Sequence, residues 1–356
     1  MVADFAAVLR IFVIALLFVL SACGGNGGFA PAVNPENAGY GLPAPLFNDA
    51  GTFFDVTGWN PFETVPVIYR DYGWLYLTEG HWENEITPKP WSAWWYPLRD
   101  KSLFHSKTTD LSPLQKYDSF VRAVYHTESE ATKFEEEKIF NAKAQQWEGH
   151  CHAWAIASIL IPEPKETITK AEISFNVVDQ KALIIKSYEE FSANYYGQRY
   201  RPSSATAWSN IQPHFFHQFV MKELIEKGRP FVMNKVPGLE VWNVPVWKAV
   251  IDVKRDQNKP SVFHVATALV TTAALNEPIE AETLIGTNEV NVYTYDLFTV
   301  LDPKGGDLVI AGNWTEISKD LHPSILIKID KQEIPHRSRN AEIKNAILRE
   351  LLIGFK

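Results

Sequence analysis

The chain has 356 residues, a formal net charge of −8 and an aromatic content of 13%. No basic block runs along it, so the sequence lacks the electrostatic footprint of a nucleic-acid-binding protein and predicts no nucleic-acid partner. A chain of this length can bury a hydrophobic core without disulfides or structural metals.

The first residues have the pattern of a secretory signal. The apolar run Ile11 to Leu20 is too short to cross a membrane, and small residues lead from it to Cys23. The ending Leu-Ser-Ala-Cys resembles the lipobox of bacterial lipoproteins, although an ordinary cleaved signal with an incidental cysteine is the alternative. We therefore expect removal of residues 1–22, lipidation of Cys23, and an anchor in the bacterial cell envelope, at the outer membrane. Lipidation would leave Cys151 as the sole cysteine for chemistry.

Four regions follow from composition. After the signal, residues 23–32 are rich in glycine and predict a flexible tether. Residues 33–89 carry glycine, proline and aromatic residues between short strand-like runs, which predicts an N-terminal segment or small subdomain. Residues 90–356 form the main domain.

The main domain begins with helical patterns. Ser112 before Pro113 predicts a capped helix, and the charged stretch Glu128 to Lys143 predicts an exposed one. Small apolar residues from Ala153 to Leu160 predict a buried helix, and two more helices are predicted at 179–196 and 214–227.

Strand-like patterns dominate the second half. Runs rich in β-branched and aromatic residues, separated by turn residues, occupy 262–272, 290–301, 307–312 and 324–329, and a terminal amphipathic helix follows at 340–352. Helices first and then an antiparallel meander predicts an α+β domain.

Cys151 lies where a glycine-containing loop runs into the predicted buried helix. Unpaired N–H groups and the macrodipole at a helix N-terminus favour the thiolate, which is the nucleophilic form of cysteine. Position alone leaves an inert core cysteine equally open.

The residue order suggests partners for the thiol. Gln145 lies six residues before Cys151, the spacing at which papain-like enzymes place the glutamine that donates to the oxyanion. His264 begins a strand-like run and is the predicted base, with Asp302 or Asn313 on later strands to orient it. The other histidines form no metal-binding pattern, so we predict no metal site.

Several motifs resemble those of the transglutaminase elicitor family. Trp147-x-Gly149-x-Cys151-x-x-Trp154-Ala155 resembles its nucleophile motif, and Glu240 to Val246 is close to its Glu-Val-Trp-Asn-x-Pro-Val run. Pro90 to Pro97 resembles an upstream segment of the family, and the likeness spans about residues 88 to 330. Ala153 departs from the pattern, since a glycine is common there, as does the run Ala311-Gly312-Asn313-Trp314.

The resemblance implies a papain-like fold and acyl transfer from glutamine side chains to primary amines. Cys151 would then be the nucleophile, Asp302 would hold a functional position, and Trp154, Trp242 and Trp314 are candidates for the substrate cleft. The expected partners are a protein or peptide glutamine donor and a primary-amine acceptor. The chemistry requires no cofactor, and a calcium requirement is left open. A cysteine protease or amidase on the same fold, or an inactive surface-binding lipoprotein, are the alternatives.

Overall fold

The computed structural model describes residues 72–197, 211–278, 288–303, 305–330, 334–352 and 355. The predicted signal, Cys23, the tether and the first part of the 33–89 segment lie outside this range. Among the residues described, none forms a helix long and apolar enough to cross a membrane.

One antiparallel sheet organises the fold. Its nine strands are β1 (Tyr76–Leu77), β2 (Gly80–Glu85), β6 (Asn194–Gly197), β7 (Phe231–Asn234), β8 (Asn243–Arg255), β9 (Val262–Thr272), β10 (Asn288–Leu301), β11 (Asp307–Trp314) and β12 (Ile325–Lys328). Their order is β1-β11-β10-β9-β8-β7-β12-β6, with β2 paired to β8. Two small two-stranded sheets complete the strands: the hairpin of β3 (Ile168–Lys170) and β4 (Ile173–Phe175), and the long-range pair of β5 (Glu190–Phe191) and β13 (His336–Arg337).

The helices surround this sheet. They are α1 (Pro113–Tyr125), α2 (Ala131–Phe134), α3 (Cys151–Leu160), α4 (Val177–Ser187), α5 (Pro213–Val220) and α6 (Asn345–Leu351). α2 continues as a π-helical turn over Glu135–Ile139, α5 continues likewise over Met221–Glu226, and a 3-10 turn spans Glu316–Lys319. Ser112 caps α1 as the sequence predicts, accepting a hydrogen bond from the Gln115 backbone N–H.

Helix α5 packs on one face of the sheet. The rings of Phe219 and Phe231 lie 5.0 Å apart, edge to face. Phe231 on β7 pairs with Val246 on β8, and directly paired residues point to the same face. Val244 and Val246 therefore face α5, while Asn243 and Pro245 face the other way.

Helix α3 covers that other face. The His152 ring lies 6.0 Å from Phe191, which stacks on Tyr195 at 5.8 Å. Tyr195 pairs with Ile327, Ile327 pairs with Val232, and Val232 pairs with Pro245, so Tyr195 and Pro245 point to the same face of the sheet. The start of β8 is thus enclosed between two helical layers, which explains why its first residues are buried on both faces.

The α+β class is confirmed, but the order of elements differs from the prediction. β1 and β2 precede the other named helices and strands along the chain, so the described end of the 33–89 segment contributes two strands to the main sheet. The predicted exposed helix from Glu128 to Lys143 is helical over residues 131–139; Ala131 and Glu135 are buried, and most of the stretch is exposed or half-buried.

Candidate active site

Cys151 is the first residue of α3 and is 1% exposed. Its Sγ lies 3.8 Å from the carbonyl oxygen of Val241, in the loop that leads into β8. The free N–H groups of the first helical turn favour negative charge on this sulfur. The thiol therefore lies at the junction of a helix N-terminus and the entry to the central strand.

The segment before Cys151 is fixed by the aromatic loop that resembles the family's upstream motif. The His150 N–H donates to the Trp95 carbonyl at 2.9 Å, and the Leu98 N–H donates to the Glu148 carbonyl at 2.7 Å. Gly149 lies between them, where an added Cβ would be 2.6 Å from Cε3 of Trp95. Only glycine allows the aromatic loop to approach this closely.

The run Glu240 to Val246 fixes the opposite side. The Trp242 N–H donates to Oδ1 of Asn234 at 2.6 Å, and the Trp242 indole donates to Glu240 at 3.3 Å. Val241, between these residues, supplies the carbonyl that contacts Cys151. The aromatic loop thus contacts the residue before the thiol, and the run Glu240 to Val246 contacts the thiol itself.

A buried cluster of charged residues contacts His150, the residue that precedes Cys151. The Lys186 ammonium donates to Glu135 at 2.7 Å and to Glu189 at 2.6 Å, and it lies 3.4 Å from Nε2 of His150. His150 Nε2 is also 3.1 Å from Glu189. We call these four residues the Lys186 cluster. It connects the residue preceding Cys151 to α4 and to the π-helical turn.

Burial sets the protonation of the Lys186 cluster. Burial, with Lys186 nearby, holds the pKa of His150 well below its ordinary value, so this histidine is neutral. Burial alone would raise the pKa of Glu189, but the charge and hydrogen bond of the Lys186 ammonium outweigh it and lower the pKa. Glu135, His150 and Glu189 offer ligand atoms within 4.8 Å of one another, but the Lys186 ammonium contacts all three. An internal cation therefore takes the place that a metal ion would need.

The structure does not bring His264 to Cys151, so its prediction as the base is wrong. His264 pairs with Lys254, eleven residues beyond Asn243 and about 36 Å along β8 at about 3.3 Å per residue. Its side chain is 54% exposed, and its two ring nitrogens contact Asp296 at 2.7 Å and Asp256 at 3.0 Å. The hydrogen bond to Asp296, opposed by partial desolvation, raises the pKa of His264.

The two candidate orienting residues lie at that same distant end. Asn313 is exposed and pairs with Asp296 across β10 and β11. Asp302 lies in the β10–β11 turn and accepts a hydrogen bond from the hydroxyl of Tyr76. Asn313 therefore lies one strand beyond the Asp296 that contacts His264, Asp302 lies further along the sheet, and all three are remote from the thiol.

The remaining predicted residues have separate positions. Gln145 has an exposed side chain and opens the turn before α3, where its N–H donates to Glu148 at 3.3 Å. Trp154 is 1% exposed and donates to the Trp91 carbonyl at 2.9 Å, as a core residue. Trp314 donates to the Ile211 carbonyl at 3.0 Å and stacks on His322, on the α5 side. Of the three candidate cleft tryptophans, Trp242 adjoins the thiol, through Val241.

Sequence reasoning missed the Lys186 cluster. Lys186 and Glu189 are three residues apart around the end of α4, a spacing that places both on one side of the helix. That signal was visible, but Glu135 lies 51 residues earlier and gives no local sign of the pairing.

Comparison with known proteins identifies the family of this chain. The sequence model of the transglutaminase elicitor family matches residues 124–338, more than half of the 356-residue chain. The chain therefore belongs to the transglutaminase elicitor family.

A solved structure shares the fold. The crystal structure of the GP42 transglutaminase from Phytophthora sojae superposes with a TM-score of 0.53 at 20% sequence identity, covering 73% of this chain and 88% of that one. No curated protein is similar enough in sequence to match.

Proposed function

We propose that the protein is a protein-glutamine acyltransferase of papain-like architecture, with Cys151 as the nucleophile. The observation that carries the proposal is the position of this thiol. It begins a buried helix, and family motifs from both sides of the chain contact its immediate surroundings.

The proposed reaction has two halves. The Cys151 sulfur attacks the carbonyl carbon of a glutamine carboxamide, the C–N bond breaks, and the nitrogen leaves as ammonia with the proton that the thiol gave up. A primary amine then attacks the thioester, the C–S bond breaks, and the thiol is regenerated as an amine proton passes to sulfur. The two halves balance without an oxidant or organic cofactor.

Catalysis requires the thiol to be uncovered. Cys151 is 1% exposed, and its contact with the Val241 carbonyl must open before a carboxamide carbon can approach. If the loop carrying Val241 returned over the thioester and excluded water, transfer to an amine would be favoured over hydrolysis.

The test is ammonia release from a glutamine peptide, measured with and without a fluorescent primary amine. We expect amine-dependent product and its loss in Cys151→Ala. Ammonia release with no amine incorporation would identify a hydrolase instead. No ammonia release under either condition, from a folded protein, would contradict an enzymatic function.

The cellular setting is proposed from the sequence. Cleavage before Cys23 and lipidation of that residue would anchor the enzyme to the bacterial envelope, at the outer membrane, with glutamine-bearing proteins and primary amines as partners. Metabolic labelling with an alkyne fatty acid, compared with Cys23→Ala, tests the anchor.

A further inference from the structure

Two buried polar atoms near Cys151 have no hydrogen-bond partner among the described residues. One is an acceptor, Oδ1 of Asn243, and the other is a donor, Nε1 of Trp94. An unmade buried hydrogen bond destabilises the folded state, so such atoms call for an explanation.

Asn243 lies on the face of the sheet that α3 covers. It is two residues from Val241, whose carbonyl contacts the thiol, which places it about 7 Å further along the chain. Its partner across the strands, Asn234, donates to the Val236 carbonyl and to Ser324 and accepts from the Trp242 N–H. The unpaired oxygen of Asn243 thus lies beside an asparagine whose amide is fully used.

Trp94 belongs to the aromatic loop that fixes the segment before Cys151. Its ring lies 5.1 Å from that of Trp95, whose carbonyl accepts the His150 N–H. Trp94 also bridges to Leu275, just beyond the end of β9 and next to the start of β8. By contrast, the indole N–H groups of Trp91, Trp154 and Trp314 each donate to a backbone carbonyl.

We propose that Asn243 and Trp94 recognise the primary carboxamide of the acyl donor. This inference rests on the proposed function of Cys151. A primary carboxamide is a compact group that offers N–H donors for Oδ1 of Asn243 and a carbonyl oxygen for the indole N–H of Trp94. A carboxylate offers no donor to Asn243 and is rejected. A site built for a substrate N–H discriminates strongly against analogues that lack it.

The test compares two acyl donors in amine incorporation, a glutamine peptide and the γ-methyl ester of the matching glutamate peptide. The ester keeps the carbonyl and lacks the N–H groups. Asn243→Leu, which conserves volume, should lower kcat/KM for the glutamine peptide by about tenfold or more and leave the ester within about twofold. Trp94→Phe should lower kcat/KM for both donors.

Stability separates this role from a structural one. Because Oδ1 of Asn243 has no hydrogen-bond partner among the described residues, Asn243→Leu should not lower the Tm. Trp247→Phe is the matched control. Its indole N–H is also buried without a partner in the described part of the chain, but it lies six residues beyond Val241, about 20 Å along the strand. It should leave kcat/KM for both donors unchanged.

The outcomes are distinct. If wild-type protein releases no ammonia, the proposed function fails, and with it this inference. If wild-type protein is active but Asn243→Leu leaves the amide-to-ester ratio unchanged, the inference is overturned and the two atoms bind ordered water only. A lowered Tm with equal loss on both donors also overturns it, in favour of a structural role.

Discussion

The ammonium of Lys186 lies 2.6 Å from the carboxylate of Glu189, and their side chains are 0% and 1% exposed. Glu189 also accepts from the Ser338 hydroxyl at 2.7 Å and from the Arg339 N–H at 2.9 Å. The pair therefore links the helix layer behind Cys151 to the C-terminal segment. Breaking the pair should therefore also disturb the contacts of Glu189 with the C-terminal segment.

Lys186→Met should lower the free energy of unfolding by about 3–5 kcal/mol, because it leaves two carboxylates buried without their cation. Urea unfolding measures the change. The control is Lys222→Met, whose 2.8 Å pair with Glu226 is 30% and 48% exposed and should contribute about 0.5 kcal/mol or less. Similar losses in the two variants would contradict the structural role of the cluster.

His217 should make the protein acid-sensitive. Burial lowers its pKa to about 3, while in the unfolded chain a histidine titrates near 6.5. Below about pH 6.5 the unfolded state takes up a proton that the folded state does not, so stability falls with pH. Between pH 7 and pH 5 this histidine should cost about 2 kcal/mol.

His217→Gln should flatten that dependence, measured as urea unfolding at the two pH values. Tyr295→Phe is the control, since it removes the 2.8 Å hydrogen bond to His217 without removing the titrating ring. It should lower stability similarly at both pH values. An unchanged slope in His217→Gln would mean that the histidine is protonated in the folded state.

Local sequence signals predicted elements that depend on local physics. The Ser112 cap predicted the start of α1, and a run rich in β-branched residues predicted β9 over residues 262–272. β8 was missed because Pro245 interrupts its pattern, its first residues are buried on both faces, and a bulge lies between Val246 and Lys248.

Site geometry depended on strand direction, which residue order does not reveal. β9 runs antiparallel to β8, so its first residues lie beside the last residues of β8. His264, near the start of β9, is therefore carried away from the loop that covers Cys151. The position of Cys151 where a loop leads into a helix was predictable, because local sequence alone indicates it and the strand topology is not needed.

His264→Ala should leave amine incorporation within about twofold of wild type, since the ring lies at the opposite end of β8 from Cys151. A general base in contact with the thiol would contribute about 10²–10⁴-fold. Initial rates at saturating amine measure the effect, with Asp302→Asn and Asn313→Ala tested alongside. A loss of a hundredfold in His264→Ala, with the Tm unchanged, would restore this histidine to the mechanism.

Gly149→Ala should reduce both stability and acyl transfer. The added Cβ would lie 2.6 Å from Cε3 of Trp95 and 2.9 Å from the Tyr96 carbonyl oxygen, so the aromatic loop must move away from α3. Overpacking of this kind costs about 1–3 kcal/mol. It would also lengthen the His150–Trp95 hydrogen bond that fixes the residue before the thiol.

Gly238→Ala is the matched control, because its Cβ would meet no atom closer than 3.9 Å. The Tm from thermal unfolding and the rate of Cys151 alkylation by iodoacetamide should both change in Gly149→Ala. Neither should change in Gly238→Ala. If Gly149→Ala kept the wild-type Tm and alkylation rate, the close contact between the aromatic loop and the helix N-terminus would not govern the reactivity of Cys151.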